Sequence, residues 1–328
     1  MPTASRGRFR PSPTSWALEG LALFERVARR IGVADPAAAD STMVGRYRLG
    51  QQLGKGGMGV VYLGHDPELS RDVAIKLVGA VPLVSMKRLK TRLQREAQML
   101  AKLVHDNVVR VYDVGEHRGE LFVAMEYVHG VDLGKWQKAG PRSRAEILDI
   151  YLAAGAGLAA AHEAGVIHRD FKPENVLVGK DGRVRVSDFG LAHLHDEPTR
   201  TESTDSSPAP ADPRLTRTDE VVGTLAYMAP EQLRNTGLDA RSDQFAYCVA
   251  MWEAVSGKRP YVGEKADALL AAIDSGRREG GEQLPRWLRR TLERGMAAEP
   301  GQRFESMKAL LEVLRKGARA RNGGYAAG

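Results

Sequence analysis

Gly54-Lys55-Gly56-Gly57-Met58-Gly59 spaces three glycines as G-x-G-x-x-G. Without side chains at those points a backbone can lie against phosphate, where any β-carbon would hold the chain too far away. Dinucleotide-binding folds use the same string, but there a helix follows the last glycine. Here Val60-Val61-Tyr62 continues as an extended run before a turn at His65-Asp66-Pro67, so a strand–turn–strand hairpin over a nucleotide's phosphates fits better. A glycine-rich hairpin without a ligand would read the same way. Val73-Ala74-Ile75-Lys76 falls on the next strand, and a lysine that ends an apolar strand is either a snorkelling terminus or a phosphate partner. Glu96 lies in a helical pattern with Leu93, Met99, Leu100 and Leu103, where its carboxylate could pair with Lys76 or sit on the surface.

His168-Arg169-Asp170-Phe171-Lys172-Pro173-Glu174-Asn175 decides between these readings. It matches H-R-D-x-K-x-x-N, and with it the chain resembles the protein kinase family, in particular the bacterial, eukaryotic-like Ser/Thr kinases. The resemblance covers roughly residues 45–316. It implies that Asp170 accepts the proton of a substrate hydroxyl and that Lys172 neutralises charge on the transferring phosphoryl. It also implies that Asn175, with Asp188 of Asp188-Phe189-Gly190, holds Mg²⁺, Mn²⁺ being an alternative, beside ATP. Leu53, Gly54, Gly56, Gly59, Lys76 and Glu96 are then nucleotide-site residues. Val61, Ala74 and Leu177 would sandwich the adenine, with Met125 behind it. Glu126 and Val128 would offer backbone groups to the purine, and Asp132 an acid near the ribose. His168 and Phe189 would stack with Leu100 and Val111.

By the same resemblance Ala229-Pro230-Glu231 closes an activation segment, Glu231 pairs with Arg303, and Asp243 bonds the backbone near Asp170 or caps its own helix. Lys172 and Thr224, in Gly223-Thr224-Leu225-Ala226-Tyr227, match Ser/Thr-specific members, Thr224 bridging Asp170 and Lys172. Arg169 wants an anion, which phosphorylation of Thr216 or Thr218 by a second copy would supply. The stretch from Asp188 to Glu231 is longer than the family's common pattern, with an insertion-like segment from Thr199 to Pro213.

Elements must hold these residues in place. Short β-branched or aromatic runs predict strands at Tyr47–Leu53, Val60–Leu63, Asp72–Val78, Val108–Val114 and Leu121–Glu126. Helical periodicity marks Lys87–Leu103, Ile147–Ala164, Ser242–Ser256, Lys265–Ser275, Leu284–Met296 and Glu305–Lys316. The fold class is α+β: a bilobal kinase fold with a small β-rich N-lobe, about 45–127, and a larger helical C-lobe, about 128–316. Residues 1–44 form an extension with one amphipathic helix, and 317–328 a disordered tail.

Composition narrows the partners. The net charge of +7 is diffuse and interleaved with acids, lacking the stripe that tracks a nucleic-acid backbone. Cys248 is the single cysteine, so no intramolecular disulfide or Cys-rich zinc site forms, and a reducing cytoplasm fits. No apolar stretch reaches the ~20 residues a spanning helix needs. Expected partners are protein substrates and a second copy of the chain for trans-autophosphorylation. Two rivals are a pseudokinase, opposed by the complete residue set, and a small-molecule kinase, opposed by the full activation segment. A third is a fragment of a membrane receptor kinase.

Overall fold

The computed structural model describes residues 43–56, 59–78, 99–189 and 225–322. They form two compact units, one built from residues up to 87 with 112–127, the other from 88–111 with 128 onward.

The smaller unit is a six-stranded sheet. Its strands are β1 (Met43–Val44), β2 (Tyr47–Gly56), β3 (Gly59–Asp66), β4 (Arg71–Val78), β5 (Val111–His117) and β6 (Glu120–Glu126), in the order β1-β2-β3-β4-β6-β5. Side chains alternate across a strand, so register decides which residues share a face. Val60 pairs with Leu77, Tyr62 with Ile75 and Gly64 with Val73. These, with Tyr47, Leu49, Phe122 and Ala124, bury one face as the unit's core. The opposite face carries Val61 opposite Lys76, Leu63 opposite Ala74, Val123 opposite Lys76 and Met125 opposite Ala74. One strand begins later than its sequence suggests. Val108 and Val109 do not join β5, because Val109 donates its N–H to Val186 at 2.9 Å while Val186 donates to the Asn107 carbonyl at 2.9 Å. The backbone bonds of that stretch belong to the larger unit.

The larger unit holds a three-stranded antiparallel sheet of β7 (Gly130–Asp132), β8 (Val176–Gly179) and β9 (Val184–Val186). Its helices are α1 (Leu133–Lys138), α2 (Arg144–Glu163), α3 (Pro230–Leu233), α4 (Ala240–Ser256), α5 (Ala266–Asp274), α6 (Arg286–Gly295) and α7 (Met307–Asn322). Helix α2 starts three residues earlier than its apolar periodicity. Ser143 caps it, accepting from the Glu146 N–H at 3.2 Å while Glu146 Oε2 accepts from the Ser143 N–H at 2.8 Å, a reciprocal capping box. Helix α4 is buried without interruption from Ser242 to Trp252, as expected of a helix apolar around most of its girth. It ends at Gly257, whose left-handed φ of 72° only glycine adopts without cost. Helix α7 continues beyond Lys316, into the segment whose composition suggested a tail. Among the described residues no helix is long and apolar enough to cross a membrane.

Candidate active site

In the larger unit, hairpin geometry brings Asn175 against Ser187, the residue before Asp188. Strands β8 and β9 pair Val176 with Val186. Asn175 precedes one strand and Ser187 follows the other, so the Ser187 N–H and hydroxyl both reach the Asn175 carbonyl, at 2.8 and 3.1 Å. Asp188 is the next residue. On its other side Asn175 closes a 3-10 turn, Pro173–Asn175, that turns the chain back toward Asp170. The Asn175 side-chain amide donates to the Asp170 carbonyl at 2.7 Å and to its Oδ2 at 3.2 Å. With its nitrogen so engaged, Asn175 keeps Oδ1 as the oxygen these bonds leave unused. That is the donor chemistry a hard divalent cation takes. The Lys172 ammonium lies 3.0 Å from Asp170 Oδ2, both side chains largely buried. A carboxylate, an ammonium and an amide therefore converge at one end of the β7-β8-β9 sheet.

Buried anchors hold the 168–175 loop. Asp243, almost fully buried, accepts the His168 N–H on Oδ2 and the Arg169 N–H on Oδ1, each at 2.7 Å. His162 Nε2 donates to Oδ2, also at 2.7 Å. Burial would raise the Asp243 pKa, but the bond to His162, that ring's charge and the His168 contacts outweigh it and keep the carboxyl below its usual value. Asp243 does not cap its helix: Asp239 does, accepting the Arg241 N–H at 2.7 Å. The buried His168 ring accepts the Asp170 N–H on Nδ1 at 3.3 Å and donates from Nε2 to the Ser187 carbonyl at 2.8 Å, which fixes its tautomer. It lies 4.7 Å from the Phe189 ring, and Phe189 and Leu100 belong to one core against which the half-buried Val111 packs. Arg169 and Asp188 have φ of 67° and 61°, left-handed conformations that non-glycine residues keep only where their surroundings impose them.

Glu231 pairs with Arg303 at 2.7 Å, as the sequence suggested, and also accepts the Ser242 hydroxyl at 2.7 Å. Asp132 and Leu177 are direct partners across β7 and β8. Asp132 caps α1, accepting the Lys135 N–H at 2.8 Å, and its other oxygen meets the Lys135 ammonium at 2.8 Å.

In the smaller unit, Val61, Ala74, Lys76 and Met125 share the face opposite the core. Gly54 pairs with Val61 and Gly56 with Gly59 across the β2–β3 turn, where Gly59 has a φ of 139°. Leu53 is exposed, Glu126 ends β6, and Val128 follows it, half-buried. Glu96, Thr216, Thr218 and Thr224 lie outside the described residues. Gln232 went unnoticed in the sequence, and His162 reads there only as a structural or exposed histidine; only the fold brings them to Arg169 and Asp243.

Comparison with known proteins accords with this geometry. The family model for the protein kinase domain matches residues 47–312. The chain belongs to the protein kinase family. It is 36% identical over 272 residues to the serine/threonine-protein kinase PknE of Mycobacterium tuberculosis, covering 81% of this chain and 45% of that one. It is 32% identical to the serine/threonine-protein kinase PrkC of Bacillus subtilis, covering 80% of this chain and 39% of the relative. The chain thus spans less than half the length of these curated kinases. Among solved structures, a Mycobacterium tuberculosis PknI kinase domain superposes with a TM-score of 0.61 at 25% identity, covering 85% of this chain and 98% of that domain. The fold is the bilobal protein-kinase fold, a β-sheet lobe and a helical lobe.

Proposed function

We propose that the chain is a serine/threonine protein kinase that transfers the γ-phosphoryl of ATP to protein hydroxyls. The carrying observation is the convergence of the Lys172 ammonium and the Asn175 amide on the Asp170 carboxylate. Asp170 aims and deprotonates the substrate hydroxyl, while Lys172 balances charge on the moving phosphoryl. Asn175 Oδ1 and the Asp188 carboxylate would hold Mg²⁺, which would supply neutralising charge for the phosphate oxygens. The smaller unit contributes Leu53, Gly54, Gly56, Gly59 and Lys76 to the phosphates, with Glu96 orienting Lys76. Val61, Ala74, Met125, Glu126, Val128 and Leu177 are assigned to the adenine and Asp132 to the ribose.

Thr224 positions the substrate hydroxyl against Asp170 and Lys172. Thr216 and Thr218 are sites of phosphorylation by a second copy, each phosphate meeting Arg169. A cytoplasmic setting suits this chemistry, since ATP and protein substrates are found there.

The test is transfer of labelled phosphate from ATP and Mg²⁺ to a generic basic protein. Asp170→Asn, which keeps shape but loses the base, should lower turnover by about 10²–10⁴-fold. Equal transfer by this variant would overturn the assignment. Phosphopeptide mapping after ATP incubation tests the loop sites, and finding neither Thr216 nor Thr218 modified would reject them.

A further inference from the structure

Arg169 is held on both sides of its peptide, and one of the two holders has no part in the chemistry above. Its N–H donates to Asp243 Oδ1, and its carbonyl accepts from Gln232 Nε2, each at 2.7 Å. The Gln232 amide is itself oriented, because Oε1 accepts the Ala229 N–H at 3.0 Å. Turning the amide over would set its NH₂ against that N–H and its oxygen against the Arg169 carbonyl, so both bonds select one orientation. The neighbours close a ring. Glu231 precedes Gln232 and takes the Ser242 hydroxyl at 2.7 Å, and Ser242 precedes Asp243, which returns to Arg169. Two consecutive residues of α3 and two of α4 thereby surround a residue whose φ of 67° is a left-handed conformation that a non-glycine residue keeps only where its surroundings impose it.

We infer that Gln232 is a positioning residue for Asp170. It fixes the peptide joining Arg169 to Asp170, and it ties the aim of the general base to the seating of residues 229–233. When that segment is displaced, the Arg169 carbonyl loses its donor and the left-handed turn relaxes. The inference rests on the kinase reading.

Gln232→Glu tests it with almost no change of volume: one oxygen can still accept the Ala229 N–H, but the other faces the Arg169 carbonyl with no proton to donate. Gln232→Ala removes the amide altogether. In the full chain we expect kcat to fall about 10-fold or more in both variants, since displacing a reacting group by an ångström costs up to 10². KM for ATP should stay within about twofold, the signature of an interaction that acts at the chemical step rather than in nucleotide binding. Hydrogen exchange of the Arg169 and Asp170 amides should also quicken in Gln232→Glu, a readout independent of activity. Unchanged exchange and unchanged kcat in a folded variant would overturn the inference. So would loss of kcat with a matching loss of ATP affinity, or unfolding of both variants, either of which makes the residue merely structural. A wild-type chain that transfers no phosphate would sink the kinase reading instead, leaving the exchange measurement to judge Gln232 by itself.

Discussion

Arg303 grips both carboxylate oxygens of Glu231, at 2.7 and 2.8 Å, and both side chains are buried. Its remaining N–H groups donate to the carbonyls of Ala297, Arg241 and Ala298, at 2.8, 2.8 and 3.2 Å. Every guanidinium donor is used, so the residue fastens three chain segments as well as neutralising a carboxylate. Arg303→Met should cost about 3–5 kcal/mol, the cost of leaving a buried charge unpaired. Adding Glu231→Gln should recover only part of this, because the three carbonyls remain without their donor. Urea denaturation of the single and double variants measures both, and full recovery in the double variant would show that the carbonyl bonds contribute nothing.

The same pair makes a pH prediction. Burial pushes the Glu231 carboxyl up, but the hydrogen bonds and charge of Arg303, with the Ser242 hydroxyl, hold it below its ordinary value. A depressed folded pKa means the contribution is complete above the unfolded carboxylate pKa of about 4.3 and is lost as pH falls through the lower folded value. The stability gap between wild type and Arg303→Met should therefore narrow on acidification, beginning above the ordinary carboxylate range, because Glu231 left buried without Arg303 takes up a proton more readily in the folded variant. A gap that widened on acidification would contradict the assignment.

Gly54 separates binding from folding. A β-carbon built there meets no atom of the described residues within 4 Å beyond its chain neighbours, so none of them requires glycine at this position. Gly54→Ala should leave thermal stability unchanged or raise it by about 0.4–1 kcal/mol, through a less flexible unfolded chain. If phosphate lies against this backbone, the added methyl should raise KM for ATP several-fold. Unaltered nucleotide affinity would remove Gly54 from the binding site.

Asp243 receives two backbone N–H groups and the His162 ring on two oxygens. Asp243→Asn leaves one oxygen and turns an NH₂ toward a donor, a buried clash of like groups worth about 1–3 kcal/mol or more. Hydrogen exchange at His168 and Arg169 should accelerate together, and turnover should drop with it. His162→Phe keeps both backbone bonds and should be milder in both measurements. Equal effects from the two variants would place the weight on the histidine rather than on the loop.

Which parts of this were legible in the sequence follows from what fixes each. Ala74 and Lys76 share a face of β4 by parity, whereas Val61 joins them only through the β3–β4 register, so its place beside them was legible through the family resemblance and not through alternation. The Asp170, Asn175 and Asp188 spacing was legible as the family's motif pattern, and a short turn and a hairpin are what span it in the fold. The 108–109 stretch misled because two valines suit any strand, and only a tertiary partner, Val186, decides which sheet takes them. Gln232 and His162 stayed silent for a different cause. Their bonds span 63 and 81 residues, and an amide or an imidazole on a helix has no periodicity that reveals such a partner.

Cys248 provides a last test, of the core beneath the site. Its thiol is fully buried in α4, burial pushes its pKa far up, and a β-carbon added at Gly295 of α6 would collide with Sγ. The sulfur thus fills the gap that a glycine leaves between two packed helices. A thiol held neutral and covered is a poor nucleophile, so a thiol reagent should label the native chain only as fast as the core opens, and should react at once in denaturant. Gly295→Ala should destabilise by about 1–3 kcal/mol through overpacking, and Cys248→Ala in that background should recover part of the loss by vacating the same space. Strict additivity of the two substitutions would mean that these helices do not meet where the sulfur and the glycine now face each other.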